Sequence, residues 1–200
     1  AVAVPSRVAI VGTRRCTRYG RDVATELGGS LAEAGVAVVS GLALGIDGAA
    51  HAGALAAGGA SPIGVVATGL DIVYPVANRR LWNRVAEAGV LLSEAPLGTG
   101  PRGWRFPARN RIIAGLADVV VVVESHASGG SLYTVEAALE RDRPVLAVPG
   151  PIHSPASRGT NHLLAEGCVP LCGIDDVLTA LGLVGSTPAP ADRRPSPGEP

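Results

Sequence analysis

The segment Arg105-Phe106-Pro107-Ala108-Arg109-Asn110-Arg111 sets a lone aromatic ring among three guanidinium groups, and Phe106 is the only Phe in 200 residues. A ring that can stack on a base, flanked by cations that can follow a phosphate backbone, suits single-stranded nucleic acid. Stacking of this kind contributes about 1–3 kcal/mol per base. The alternative is a ring that staples the start of a helix into the core. Arginines gather elsewhere too. The chain has no Lys, and eleven of its seventeen cations fall in three short windows. These are Arg14, Arg15, Arg18 and Arg21; Arg79, Arg80 and Arg84; and Arg102, Arg105, Arg109 and Arg111. No Asp or Glu lies inside any window. Solubilising surface charge would mix the signs. With a net charge of zero, the chain is no generally basic nucleic-acid coat, so the windows point to focused anion binding.

Four glycine-bearing turns accompany the arginines. Gly12-Thr13-Arg14 ends an apolar run, where glycine permits close backbone approach. Ser40-Gly41-Leu42-Ala43-Leu44-Gly45-Ile46-Asp47 follows another, but its glycines, at 41, 45 and 48, lack the GxGxxG spacing. No GK[ST] makes it a P-loop. It is either an anion-facing loop or a strand–helix turn packed on glycine, and Asp47 either contacts a sugar or base or caps the helix. In the third turn, with Gly69 and Asp71, Tyr74 and Pro75 form a flat stacking wall or pack beneath the loop. In the fourth, Gly129, Gly130 and Ser131 lead into a helix, where backbone N–H groups favour an anion; the alternative is a plain tight turn.

Nothing assembles a catalytic centre. His51, His126, His153 and His162 are scattered, without HExxH or GxSxG. Cys168 and Cys172 are four apart, but no further ligand pair completes a zinc set; the three cysteines read as small buried thiols. Sequence distance does not forbid a spatial triad, but nothing in the sequence argues for one, nor for a metal or a cofactor. No apolar run approaches the roughly 18 residues of a membrane span, and no signal peptide is recognisable. A soluble cytoplasmic protein is expected. The lack of Met fits a fragment or a processed chain.

The elements that must position these residues follow from periodicity. Candidate strands are Arg7–Val11, Val36–Ser40, Ile63–Ala67, Val90–Ser93, Val119–Glu124 and Val145–Val148, with a weaker one at Val169–Leu171. Their continuous Val/Ile/Leu/Ala character marks parallel strands buried on both faces. Helices are expected around Val23–Leu31 with Gly35 as C-cap, over Gly45–Ala57, over Arg79–Ala88 capped by Asn78, over Asn110–Leu116, over Ser131–Arg141 and over Asp175–Leu183. This predicts an α/β fold, an extended Rossmann-like, doubly wound, mainly parallel sheet with helices on both faces. In such sheets ligands bind beyond the carboxyl ends of the strands. Each arginine window follows a strand, so topology and charge converge on one edge. The domain is expected over residues 1–184. Residues 185–200, rich in Pro, Ala and Ser, cannot bury a core and read as a disordered linker or tail.

Taken in order, "VAIVGTR", "VVSGLALGID", "TGLDIVYP", "LLSEAP", "FPARNRIIAGL", "GGSLYTVEAAL", "VLAVPG" and "GTNHLLAEG" resemble the DNA-processing protein A (DprA/Smf) family over residues 7–180. The resemblance implies a homodimer that binds single-stranded DNA, protects incoming strands in natural transformation and helps load the RecA recombinase, a binding protein and not an enzyme. It implies contact residues at Gly12, Thr13 and Arg14; Ser40, Gly41, Gly45 and Asp47; Gly69, Asp71, Tyr74 and Pro75; Phe106, Arg109 and Asn110; and Gly130 and Ser131. Arg105 joins this set from its place beside Phe106. Leu44 and Val76 stand where the family commonly carries cations, Ala95 where an aromatic is frequent, and Gly129 where a serine is usual. Two lost cations weaken phosphate binding and flatten its salt dependence. The contrasting reading is a phosphoribohydrolase of the related LOG type, acting on nucleoside monophosphates. Gly129, Gly130 and Glu136 keep that motif's spacing, and Arg109 would be the upstream partner. Ser128, Leu132 and Tyr133 break the motif. A nucleotide-sensing module is the third reading.

Overall fold

A computed structural model describes residues 5–183; the segment read as a tail, 185–200, lies outside them. The chain alternates strand and helix: β1 Arg7–Val11, α1 Arg18–Glu33, β2 Ala37–Ser40, α2 Ile46–Ala57, β3 Ile63–Val65, α3 Arg79–Ala88, β4 Val90–Leu92, α4 Arg105–Leu116, β5 Val119–Val122, α5 Leu132–Leu139, β6 Val145–Ala147, α6 Arg158–Ala165, β7 Val169–Pro170 and α7 Ile174–Ala180. Single 3₁₀ turns precede α3 and α6. The strands form one seven-stranded sheet in the order β4-β3-β2-β1-β5-β6-β7. Every pairing is parallel, with Ala9 registered on Val39 and on Val120. The expected doubly wound α/β fold is what forms.

Both faces of the strands are buried because successive side chains point opposite ways. Val8 and Ile10 enter the core beneath α1, α2 and α7, while Ala9 and Val11 enter the one beneath α4, α5 and α6. A smaller cluster of Leu42, Val66, Trp82 and Val85 seats α3 beside α2. The order of strands reverses between β1 and β5, so the loops after these two strands diverge and leave a crevice. Among the described residues no helix is long and apolar enough to cross a membrane.

Several boundaries depart from the expected ones. β3 stops at Val65 and β5 at Val122, so Val66, Ala67, Val123 and Glu124 already belong to the loops. α4 begins at Arg105 rather than Asn110. Asn78 does not cap α3 with its side chain. Instead its amide donates to the carbonyls of Leu42 and Ala43, each at 3.0 Å. Of the cysteines expected to be buried, Cys172 is exposed, and Cys16 and Cys168 are half-buried.

Candidate nucleic-acid interface

A cleft of about 700 Å³ opens at the reversal point. Gly12, Thr13, Arg14 and Arg15 from the β1 loop form one wall. Phe106, Arg109 and Asn110 of α4 form another, and His126 with Ser128–Ser131 closes the third. The β1 wall is fixed from below. Thr13 N–H donates to the Glu124 carbonyl (2.8 Å). The buried Glu124 carboxylate accepts from Thr17 N–H (2.8 Å) and from Thr17 Oγ1 (2.6 Å), and Thr17 in turn caps α1.

The Phe106 ring belongs to none of the three core clusters. It stands half-buried at the mouth of the cleft. The Arg14 guanidinium carbon lies 4.6 Å from its centroid, and the Tyr74 ring lies 5.5 Å away, tilted by 40°. Arg14 has no carboxylate within salt-bridge range among the described residues. Its charge is thus set against the negative face of a ring rather than against an acid. Tyr74 and Pro75 line a narrower pocket of about 50 Å³ next to the ring, together with Leu44.

Beneath this mouth lie two buried ionisable groups. Arg109 is 5% and Asp47 6% exposed. Arg109 donates to the carbonyls of Gly41 (2.9 Å) and Val65. Asp47 accepts from Gly41 N–H (3.0 Å). Burial raises the Asp47 carboxyl above its ordinary range, against the pull of Arg109. Burial also lowers Arg109 to about 10, with Asp47 acting to raise it. Both groups therefore brace the β2–α2 loop, and Arg109 forms a cationic floor rather than a free arm. A methyl at Gly41 would collide with the Arg109 guanidinium. Gly45 takes φ +76° and packs on the backbone of Thr13 and Arg14, which ties the β1 and β2 loops together.

The other expected residues divide. Asn110 donates to the Gly130 carbonyl (3.0 Å), and Ser131 Oγ to Ser125 Oγ (2.9 Å), so both hold the third wall. The amides of Gly130 and Ser131 make no hydrogen bond to another described residue. Ser40 lies outside the cleft, fully buried, donating to the Ile10 carbonyl (2.6 Å). Gly69 and Asp71 also lie outside. Both Asp71 oxygens accept from Gly98 N–H (3.0 and 2.9 Å), and Gly69 N–H donates to the Thr99 carbonyl. Arg105 turns away from the cleft onto Trp104. Arg79, Arg80 and Arg84 are exposed on α3 and line neither pocket. Two acid-free windows gain acids in space, through Arg18–Asp22 (3.6 Å) and Arg111–Glu94.

Residues not expected in the cleft are His126, Ser128 and Thr134, whose Oγ1 is buried with no partner among the described residues. Their position just past β5, at the reversal point, is the signal that could have found them. Glu136 is exposed on α5 and does not line the cleft. The Arg109–Glu136 pair that a phosphoribohydrolase would need is therefore not assembled.

Residues 2–182 match the family model for DNA recombination-mediator protein A. The DNA processing protein DprA of Bacillus subtilis is 42% identical over 175 residues, covering 88% of this chain and 59% of that protein. The protein of the same name from Streptococcus pneumoniae is 45% identical over 172 residues, covering 86% and 60%. The chain thus spans little more than half the length of these relatives. The X-ray structure of the S. pneumoniae protein superposes with a TM-score of 0.81 at 44% identity, over 88% of this chain and 61% of that one. DNA processing protein A of Helicobacter pylori, described for its single-stranded DNA binding mode, also gives 0.81, at 33% identity over 88% and 80%. A molybdenum cofactor binding protein from Rippkaea orientalis shares the fold alone, with a TM-score of 0.64 at 19% identity over 90% and 96%.

Proposed function

The chain belongs to the DNA recombination-mediator protein A family, and on that premise we propose that its cleft binds single-stranded DNA. One observation carries the reading: Arg14 is poised on the Phe106 ring at the mouth of the cleft, without an acid partner among the described residues. A base entering to stack on Phe106 displaces the Arg14 guanidinium, which then meets the adjoining phosphate. Stacking and charge neutralisation are thereby coupled in one movement. The free amides of Gly130 and Ser131 and the Arg109 floor favour the strand's negative charge from the far wall. Gly12, Thr13 and Asn110 shape the path, while Gly41, Gly45 and Asp47 hold it open from behind.

In the full-length protein this cleft serves to protect single strands and to present them to the RecA recombinase during transformation or recombination in the cytoplasm. The chain acts there as a homodimer and as a binding protein without a catalytic step. Titration of fluorescently labelled oligo-dT, followed by anisotropy at low and moderate salt, tests the binding. Wild type binds, and binding weakens as salt rises. Arg14→Ala weakens it further and lowers the salt slope by about 0.7, the value for one phosphate on a single strand. No binding at low salt, together with cleavage of nucleoside monophosphates, would overturn the proposal in favour of the phosphoribohydrolase.

A further inference from the structure

Outside the cleft, the start of α4 carries a second aromatic–guanidinium pair. Trp104 is the N-cap residue of α4 and is 66% exposed, whereas Trp82 is only 4% exposed. A tryptophan left in water forgoes the burial of roughly 150–250 Å², and such exposed rings concentrate at binding surfaces. The Arg105 guanidinium carbon lies 4.5 Å from the Trp104 ring centroid. Arg105 Nε is shielded there and has no hydrogen-bond partner among the described residues, so the ring is what engages this cation there. Arg102 is exposed two residues before. Neither arginine has a carboxylate in range among the described residues. The first turn of α4 holds no acid, and the helix start adds its own partial positive charge.

We propose that Trp104, with Arg102 and Arg105, forms a second stacking station for single-stranded nucleic acid. It takes a nucleotide of the strand that has left the Phe106 site. This rests on the cleft reading above. The pair repeats the chemistry of Arg14 on Phe106, two residues away along the same helix start. Residues two apart on a helix point to different sides. Phe106 accordingly lines the cleft and Trp104 does not, so one strand crossing the start of α4 meets both rings in turn. The chemistry favours nucleic acid over a protein partner. Trp104 stands between Arg102 and Arg105, and neither of these cations meets a carboxylate among the described residues.

Trp104 is itself the reporter, as the water-exposed tryptophan of the two in the chain. Oligo-dT strands of about 4 and about 15 nucleotides, near the two ends of the range for one binding module, are titrated at low salt. Intrinsic emission and the anisotropy of labelled strands are read separately. The long strand quenches the emission, and Trp104→Phe abolishes that quenching with affinity kept within about threefold. Trp104→Ala weakens the long strand about tenfold and leaves the short strand unchanged. Two results overturn the station while leaving the cleft intact. In one, the long strand binds by anisotropy with emission unmoved and Trp104→Ala affinity equal to wild type. In the other, Trp104→Ala changes the mass seen by light scattering but not the strand affinity, which makes this surface a contact between copies. Absence of strand binding altogether removes the cleft reading and this one with it.

Discussion

Phe106 and Arg14 are the residues whose place at the cleft was most legible, because an aromatic isolated among arginines and an arginine after a strand-end glycine stand out by type. Arg109 and Asp47 were not legible in the same way. Their types suggested exposed contacts, and only packing beneath Gly41 reveals them as a buried brace. Arg109→Ala therefore acts on stability as well as on DNA. It leaves Asp47 buried without its cation and two carbonyls without a donor. The expected loss is about 3 kcal/mol, the order for buried carbonyls left without their donor, read as a lower urea midpoint. Leu44 behaves differently. It is 43% exposed and lines the pocket beside Phe106, where an ammonium would stand close to a bound strand. Leu44→Lys is expected to tighten oligo-dT binding at low salt and to raise the salt slope by about 0.7. Unchanged affinity in an otherwise folded variant would place the β2–α2 loop away from the phosphates.

At the scale of elements, strands were read well because continuous apolar runs admit few other structures once both faces are buried. The start of α4 was read a turn late, since Pro107 looks like a break. Pro107 is in fact the third residue of α4, where the amide it lacks would have had no intrahelical acceptor. This earlier start is what makes Phe106 and Arg109 helical rather than parts of a loop. The β2–α2 turn depends on Gly45 in the same structural sense. At φ +76° and against the Thr13 and Arg14 backbone, a methyl is disfavoured by conformation and by contact alike. Gly45→Ala is expected to cost about 2 kcal/mol in urea denaturation and to weaken oligo-dT binding by displacing Arg14. A fully stable variant that binds normally would show that the two loops are not coupled.

At the scale of the whole molecule, the doubly wound topology and the edge at which the cleft opens could be read from element order. Which loops meet could not, because the β1–β5 reversal is a property of the sheet and not of any segment. One consequence is global. His51 lies fully buried with Nε2 donating to the Ile63 carbonyl (3.2 Å) and Nδ1 without a partner among the described residues. Burial lowers it to about 4 from 6.5. The unfolded chain thus takes up a proton below pH 6.5 that the native state refuses until about pH 4, so stability falls with pH across that window. Between pH 7 and 5 the loss is about 2 kcal/mol. Asp47, raised above 3.8, acts in the opposite sense, losing stability as pH rises, so the clean reading is a difference between two chains. His51→Gln should flatten the fall in urea stability relative to wild type, and parallel curves would contradict the buried neutral histidine. The central claim, a strand held at the Arg14–Phe106 mouth, is tested most directly by the affinity of Phe106→Ala for oligo-dT at low salt, with circular dichroism confirming the fold. The account predicts a weakening of about tenfold or more; a folded variant that binds as tightly as wild type would contradict it.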